Sequence, residues 1–141
     1  MKLSFVILLG FLLSQSKAGV AQSEKEYSWW NPADNDYPVL EGQAWPQEMK
    51  GNYYRLPGRA EKLVRQEVWD LAHNAAGLAI SFKSNSPEII VKYQVSGSIS
   101  FPHMPATGVS GVDMYAVGKD GQRLWCKGSF SFKDTIVYKF K

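Results

Sequence analysis

The sequence is short of four things, and each shortage closes a class of answers. It has one cysteine, Cys126, so no intramolecular disulfide can staple the fold. It has two histidines, His73 and His103, which stand far from each other and from the one cysteine in the chain. No metal site and no cofactor are expected from such a pattern. Charge of one sign is scarce too. Setting aside Lys2 and Lys17, 14 basic residues face 13 acidic ones, which gives no electrostatic footprint for nucleic acid. Nor is the apolar run from Leu3 to Leu13 long enough to span a bilayer: it has eleven residues, interrupted by Ser4 and Gly10, where a span needs about 20.

That run has another use. Lys2 supplies a positive start, and the small residues Gly19 and Ala21 supply a cleavage site before Gln22. Residues 1–21 are therefore expected to be a signal peptide. No cysteine follows the cut to carry a lipid, so the mature protein is expected to be secreted or periplasmic with no membrane span. The mature chain is the size of one domain and must be held by its core.

Aromatic residues, by contrast, are plentiful, and they are unevenly placed. Residues 22–52 hold Tyr27, Trp29, Trp30, Tyr37 and Trp45 among Asn, Asp, Pro and Gly, with no period of 2 or 3.6. A solvated disordered segment rarely carries three tryptophans. The segment is expected to be an aromatic-rich loop packing on the domain of residues 53–141, although exposed rings could also stack on sugars. Trp29, Trp30 and Trp45 are the candidate glycan or interdomain contacts.

Within 53–141 the pattern is extended. Tyr53 to Leu56 is expected to be a short strand ended by Pro57-Gly58, Ala60 to Val64 one helical turn, and Gln66 to Trp69 extended. Gly77 to Lys83 alternates Leu78, Ile80 and Phe82 against polar or small residues. Glu88 to Val95 sets Ile89, Val91, Tyr93 and Val95 on one face. Two such segments joined by Ser84 to Pro87 predict a hairpin. Asp120-Gly121 predicts a second one. Pairing Lys119 with Gln122 sets Val117 against Leu124, Tyr115 against Cys126 and Asp113 against Gly128. Ser129 to Phe132 and Thr135 to Lys141 complete the set, the last presenting Ile136, Tyr138 and Phe140 on one side. The chain stops inside that strand, which predicts an exposed edge and a domain lacking its last strand. Some seven strands without a long helix predict an all-β fold, an antiparallel β-sandwich of jelly-roll type.

Catalytic chemistry is harder to find. Gly108-Val109-Ser110-Gly111-Val112 misses the Gly-x-Ser-x-Gly elbow at its last position. His73 is expected in solvent, and His103, between Pro102 and Met104, is placed to aim its ring at a ligand or a neighbouring domain. Cys126 suits a buried thiol acting as a small hydrophobe. Asp113 is unusual inside a strand and suggests a structural role, accepting from loop amides or from Arg55, Arg59 or Arg65. On that reading it tethers the loop from His103 to Gly108. No catalytic residue emerges.

Gly111-Val112-Asp113-Met114-Tyr115 resembles the Gly-x-Asp-Leu-Tyr motif of the N-terminal domain that precedes SGNH-type, or GDSL-like, esterases of glycan-degrading bacteria. Tyr54-Arg55-Leu56-Pro57, Val64-Arg65, Val68-Trp69-Asp70-Leu71, Ala76-Gly77 with Phe82, Met104 to Gly108 and the Asp120-Gly121 turn follow in the family's order. Met114 stands where the family has leucine, a volume-conserving exchange. The resemblance implies a jelly-roll-like domain ahead of a catalytic α/β SGNH domain in a secreted carbohydrate esterase. The family's catalytic Gly-Asp-Ser block has no counterpart before Lys141, so the chain is expected to be non-catalytic and its partner to be that domain in cis. A free-standing glycan-binding module and a structural or interaction domain are the competing readings, the former with a polysaccharide as partner.

Overall fold

A computed structural model describes residues 26–37, 39–49 and 51–141. The leader expected at 1–21 and the first residues of the aromatic segment lie outside that range. The chain forms two compact units, the first ending at Ile80 and the second running from Ser81 to Lys141. Most of the regular structure is strand, in small antiparallel sheets with few helices, as the all-β expectation required. Among the described residues no helix is long and apolar enough to cross a membrane.

The first unit is largely irregular, as its turn-rich composition implies. A 3-10 turn at Pro32–Asp34 is fixed by Asn31, whose Oδ1 accepts from the Ala33 N–H at 3.3 Å. Proline fits there because the first turn of a helix leaves its N–H groups unused anyway. Further 3-10 turns run over Pro46–Glu48 and Gly58–Lys62, the latter overlapping the helical turn expected from Ala60. Strands β1 (Leu40–Glu41) and β2 (Ala79–Ile80) pair antiparallel. Ala33, Val39, Met49, Ala60 and Ala72 are buried.

Three expectations change in this unit. Tyr53 to Leu56 is not a strand, because Arg55 uses its backbone once on each side. Its carbonyl accepts from Ala44 at 3.2 Å and its N–H donates to Ala72 at 2.8 Å, which makes a bridge between neighbours and no ladder. Gln66 to Trp69 is not extended but opens α1 (Gln66–Ala72), which turns Val68, Trp69 and Ala72 inward. The end of α1 is set from a distance: the Arg55 guanidinium also donates to the Leu71 carbonyl at 2.6 Å. A cation there satisfies carbonyls that a helix end leaves open. His73 is not in solvent. It stands half-buried at the end of α1, with Nδ1 2.9 Å from the Trp69 carbonyl and its ring edge-on to Tyr54 and Trp69.

The second unit holds the larger sheet. β3 (Ile89–Tyr93), β6 (Gly128–Ser131) and β7 (Ile136–Phe140) run in the order β3-β7-β6, all antiparallel. β4 (Met114–Val117) and β5 (Arg123–Cys126) form a separate two-stranded ribbon. A four-residue helical turn, α2 (Ala106–Val109), precedes β4. The core is Ile136, Tyr138 and Phe140, with Ile89, Val91, Tyr93, Val112, Met114, Cys126 and Phe132 packed against it. The apolar faces read from β3 and β7 are the ones that meet, since Ile89, Val91 and Tyr93 pair with Phe140, Tyr138 and Ile136.

Here too the pairing departs from expectation. The segments 77–83 and 88–95 do not form a hairpin: β2 pairs with β1 and β3 with β7. Alternation fixes which face a strand buries, not which neighbour it takes. β7 is not an edge; it is the central strand, hydrogen-bonded on both sides. The second hairpin forms, but one residue out of the expected register. Met114 faces Cys126, Tyr115 faces Trp125 and Val117 faces Arg123. The cause is the turn. Gly121 N–H donates to the Gly118 carbonyl and Gly118 N–H to the Gln122 carbonyl, with Gly121 at φ +79°. This is a three-residue loop, a tight turn followed by a left-handed glycine. Lys119, Asp120 and Gly121 lie in the loop, and every side chain of the expected pairing moves to the other partner.

Candidate functional site

The residues of the Gly-x-Asp motif meet at one corner of the second unit, where α2 gives way to β4. Pro105 starts α2 and Ser110 ends it, its N–H donating to the Ala106 carbonyl at 2.9 Å. Ser110 is buried, and its hydroxyl lies 3.4 Å from the Ser98 carbonyl. Two tyrosines from the sheet hold this corner. The Tyr93 hydroxyl donates to the Ser110 carbonyl, and the Tyr138 hydroxyl bonds the backbone of Val112.

Gly111 sits between these contacts and has no room for a side chain. A Cβ there would stand 2.2 Å from the Thr107 carbonyl oxygen and 2.8 Å from the Tyr138 hydroxyl. The glycine of the motif is therefore a close-approach glycine: it lets the helical turn close over the tyrosine.

Burial raises both phenols. It pushes the Tyr93 hydroxyl up to about 12, with the nearby Tyr138 adding to the rise. Tyr138 is raised as well, by burial first; its bond to the Val112 backbone opposes the rise and Asp113 adds to it. Tyr93 thus keeps its proton, and with it the bond to the Ser110 carbonyl, to higher pH than a tyrosine in water would.

Next along the motif, Asp113 accepts from the Trp125 indole, Nε1 to Oδ1, at 3.1 Å. This corrects the expected tether: among the described residues the partner is an indole on β5, not a loop amide or an arginine. In the observed register Trp125 lies diagonally across from Asp113, within reach of a large ring. The expected register had put the two on opposite faces. Met114 turns into the core beside Cys126, which is half-buried and free, whereas Tyr115 turns outward. The motif thus divides its tasks among clearance at Gly111, an indole anchor at Asp113, packing at Met114 and an exposed ring at Tyr115.

The other residues named from sequence lie elsewhere. Trp29, Trp30 and Trp45 belong to the first unit. Trp29 neighbours Tyr27, with ring centroids 6.1 Å apart, and the Trp30 indole donates to Asn35 Oδ1 at 3.0 Å. The Arg59 guanidinium covers one face of Trp45, 4.7 Å from its centroid, and pairs with Glu48 at 2.9 Å. His103 is in the second unit. The turn from Phe101 to Met104 closes through two backbone bonds of 3.0 Å, and the His103 ring stacks on Phe101 with 7° between planes. Sequence reasoning missed Tyr93, Tyr138 and Trp125 as parts of the corner. The sum of turn and register would have located Trp125; the two hydroxyls carry no local signal.

The profile of the family described as GxDLY, the N-terminus of SGNH-hydrolase-type esterases, matches residues 27–141. The chain belongs to the GxDLY family. No curated protein and no solved structure matches it. The match reaches from the aromatic segment of the first unit to the last strand of the second, so both units are parts of the GxDLY module. Gly111, Asp113 and Tyr115 are the named letters of its motif, with Met114 at the leucine position.

Proposed function

We propose that this GxDLY module is a non-catalytic accessory domain of a secreted SGNH-type carbohydrate esterase, supporting the catalytic domain or shaping its substrate entrance. The observation that carries the reading is the family match over residues 27–141. Export rests on the leader read at 1–21, and a jelly-roll-like sandwich is the architecture the resemblance implies. The motif residues support a structural part: Gly111, Asp113 and Met114 are all engaged in holding one corner together. Ser110, the serine nearest a hydrolase elbow, is buried with its hydroxyl directed at a backbone carbonyl. The test is the reading frame beyond Lys141 together with acetyl-ester hydrolysis. A Gly-Asp-Ser block and an Asp-x-x-His block downstream, with hydrolysis only in the extended protein, are expected. Acetyl-ester hydrolysis by the 141-residue chain that is lost in Ser110→Ala overturns the reading.

One observation favours a second reading, glycan binding. Trp29 and Trp30 leave 53% and 48% of their surfaces exposed, a large area for rings that could stack on sugars. Retardation in gels containing xylan or pectin, abolished by Trp29→Ala with Trp30→Ala, supports it. Unchanged mobility removes it.

A further inference from the structure

We propose that the outer face of the β4–β5 ribbon, formed by Tyr115, Val117 and Trp125, is the surface on which the SGNH-type catalytic domain docks. The inference rests on the accessory reading above and adds to it the place of contact.

The ribbon is built as one half of an interface. Two strands of four residues are marginal as an isolated hairpin. Only its base is sealed, where Met114 and Cys126 reach the core. On the outer face Tyr115 is 53% exposed, Val117 67% and Trp125 59%, and the exposed Arg123 stands opposite Val117 at its far end. Tryptophan and tyrosine grouped on one face are the residues that anchor protein interfaces.

The Asp113 contact prepares this face for burial. An indole N–H taken out of water must keep a partner, and Trp125 carries its partner with it. The ring can therefore be covered without leaving an orphan donor. The carboxylate makes the complementary demand: once covered, its second oxygen needs a donor from the other side. The partner surface is thus apolar at its centre, with a cationic or N–H group opposite Asp113 and an acceptor or carboxylate opposite Arg123.

The path of the chain brings the occupant to this place. Phe140, near the end of β7, pairs with Gly128, which is two residues from Cys126 at the base of the ribbon. A domain joined after Lys141 starts near the base of the ribbon, and each ribbon strand, four residues long, reaches only about 14 Å from there. In this family the remainder of the esterase follows the N-terminal module. The catalytic domain is therefore tethered within reach, and tethering raises the effective concentration of a contact without adding affinity.

The experiment compares amide exchange over residues 113–126 in the 141-residue chain and in the same chain continued through its SGNH domain. At least tenfold slower exchange is expected in the longer protein. The substitutions Val117→Lys and Tyr115→Ser should abolish that protection while leaving the urea midpoint of the 141-residue chain unchanged. Equal exchange in both proteins overturns the docking face while leaving the accessory reading intact. Absence of any SGNH domain downstream overturns the accessory reading and the docking face with it. Protection already present in the 141-residue chain assigns the face elsewhere, to a second copy if it depends on concentration and to the first unit if it does not. Either result overturns the inference.

Discussion

The indole of Trp125 donates to the carboxylate of Asp113 across 3.1 Å, joining the third residue of the family motif to the facing strand of the ribbon. Both partners are substantially solvent-accessible, so the bond contributes little beyond its geometry. Asp113→Ala should cost about 1 kcal/mol, the usual net value of one hydrogen bond. Trp125→Phe removes the same donor and keeps most of the ring. In a double-mutant cycle the two losses should fall short of additivity by about 0.5–1 kcal/mol. Additive urea midpoints would show that the contact does not couple the strands.

Gly111 is the position least open to change. Its missing Cβ would meet the Thr107 carbonyl, which is backbone and cannot swing away, and the Tyr138 hydroxyl on the central strand. Gly111→Ala should destabilise by about 2–3 kcal/mol, at the upper end for overpacking a fixed site. Coupling the change with Tyr138→Phe removes one of the two clashes and should recover part of the loss. No recovery in the double variant would place the whole conflict at Thr107.

The two tyrosines predict a response to alkali. Tyr93 is raised from 10.0 to about 12 in the folded chain, so between those values the unfolded state loses its proton first. The stability linked to Tyr93 is fully present below pH 10 and is lost as the pH rises through the folded value. Tyr138 is shifted in the same direction, by burial foremost. The urea midpoint should hold level from pH 7 to about 9.5 and then fall. Tyr93→Phe should be less stable at pH 8, by about 1–2 kcal/mol for the Ser110 carbonyl left without its donor, and should show a shallower alkaline fall. An alkaline limb identical to that of the parent would refute the assignment.

What was legible in the sequence was periodicity. Ile136, Tyr138 and Phe140 alternate against polar or partly exposed neighbours, and they are the core; Ile89, Val91 and Tyr93 alternate and pack on it. Partner and register were not legible. Asp120-Gly121 fits both a two-residue and a three-residue loop, and the choice rests on Gly121 taking a positive φ beside Gly118. One residue of slip then exchanged the faces of β5, which hid the Asp113–Trp125 pair although Asp113 itself stood out. α1 went unread for a related reason. Gln66–Ala72 is short and includes Val, Trp and Asp, which are mediocre helix formers. Its last carbonyls are met by Arg55, a residue far outside any local window.

That long-range cap gives the last test. Arg55 meets the end of α1 twice, through its N–H on Ala72 and its guanidinium on Leu71. Any substitution other than proline keeps the first bond, so side-chain variants report on the second alone. Arg55→Ala should cost about 1.5–3 kcal/mol, the range for a hydrogen bond from a charged donor, and should speed amide exchange across 66–72. Arg55→Lys separates charge from shape. Arg55 Nε is buried and has no hydrogen-bond partner among the described residues, so the guanidinium already carries an unmet donor. Lysine lacks that donor yet can bring a cation to the Leu71 carbonyl, favourable at a helix C-terminus. Its loss should therefore be smaller than that of alanine by about 1 kcal/mol or more. If lysine proves as damaging as alanine, the guanidinium acts through its planar packing, and the charge at the helix end is incidental.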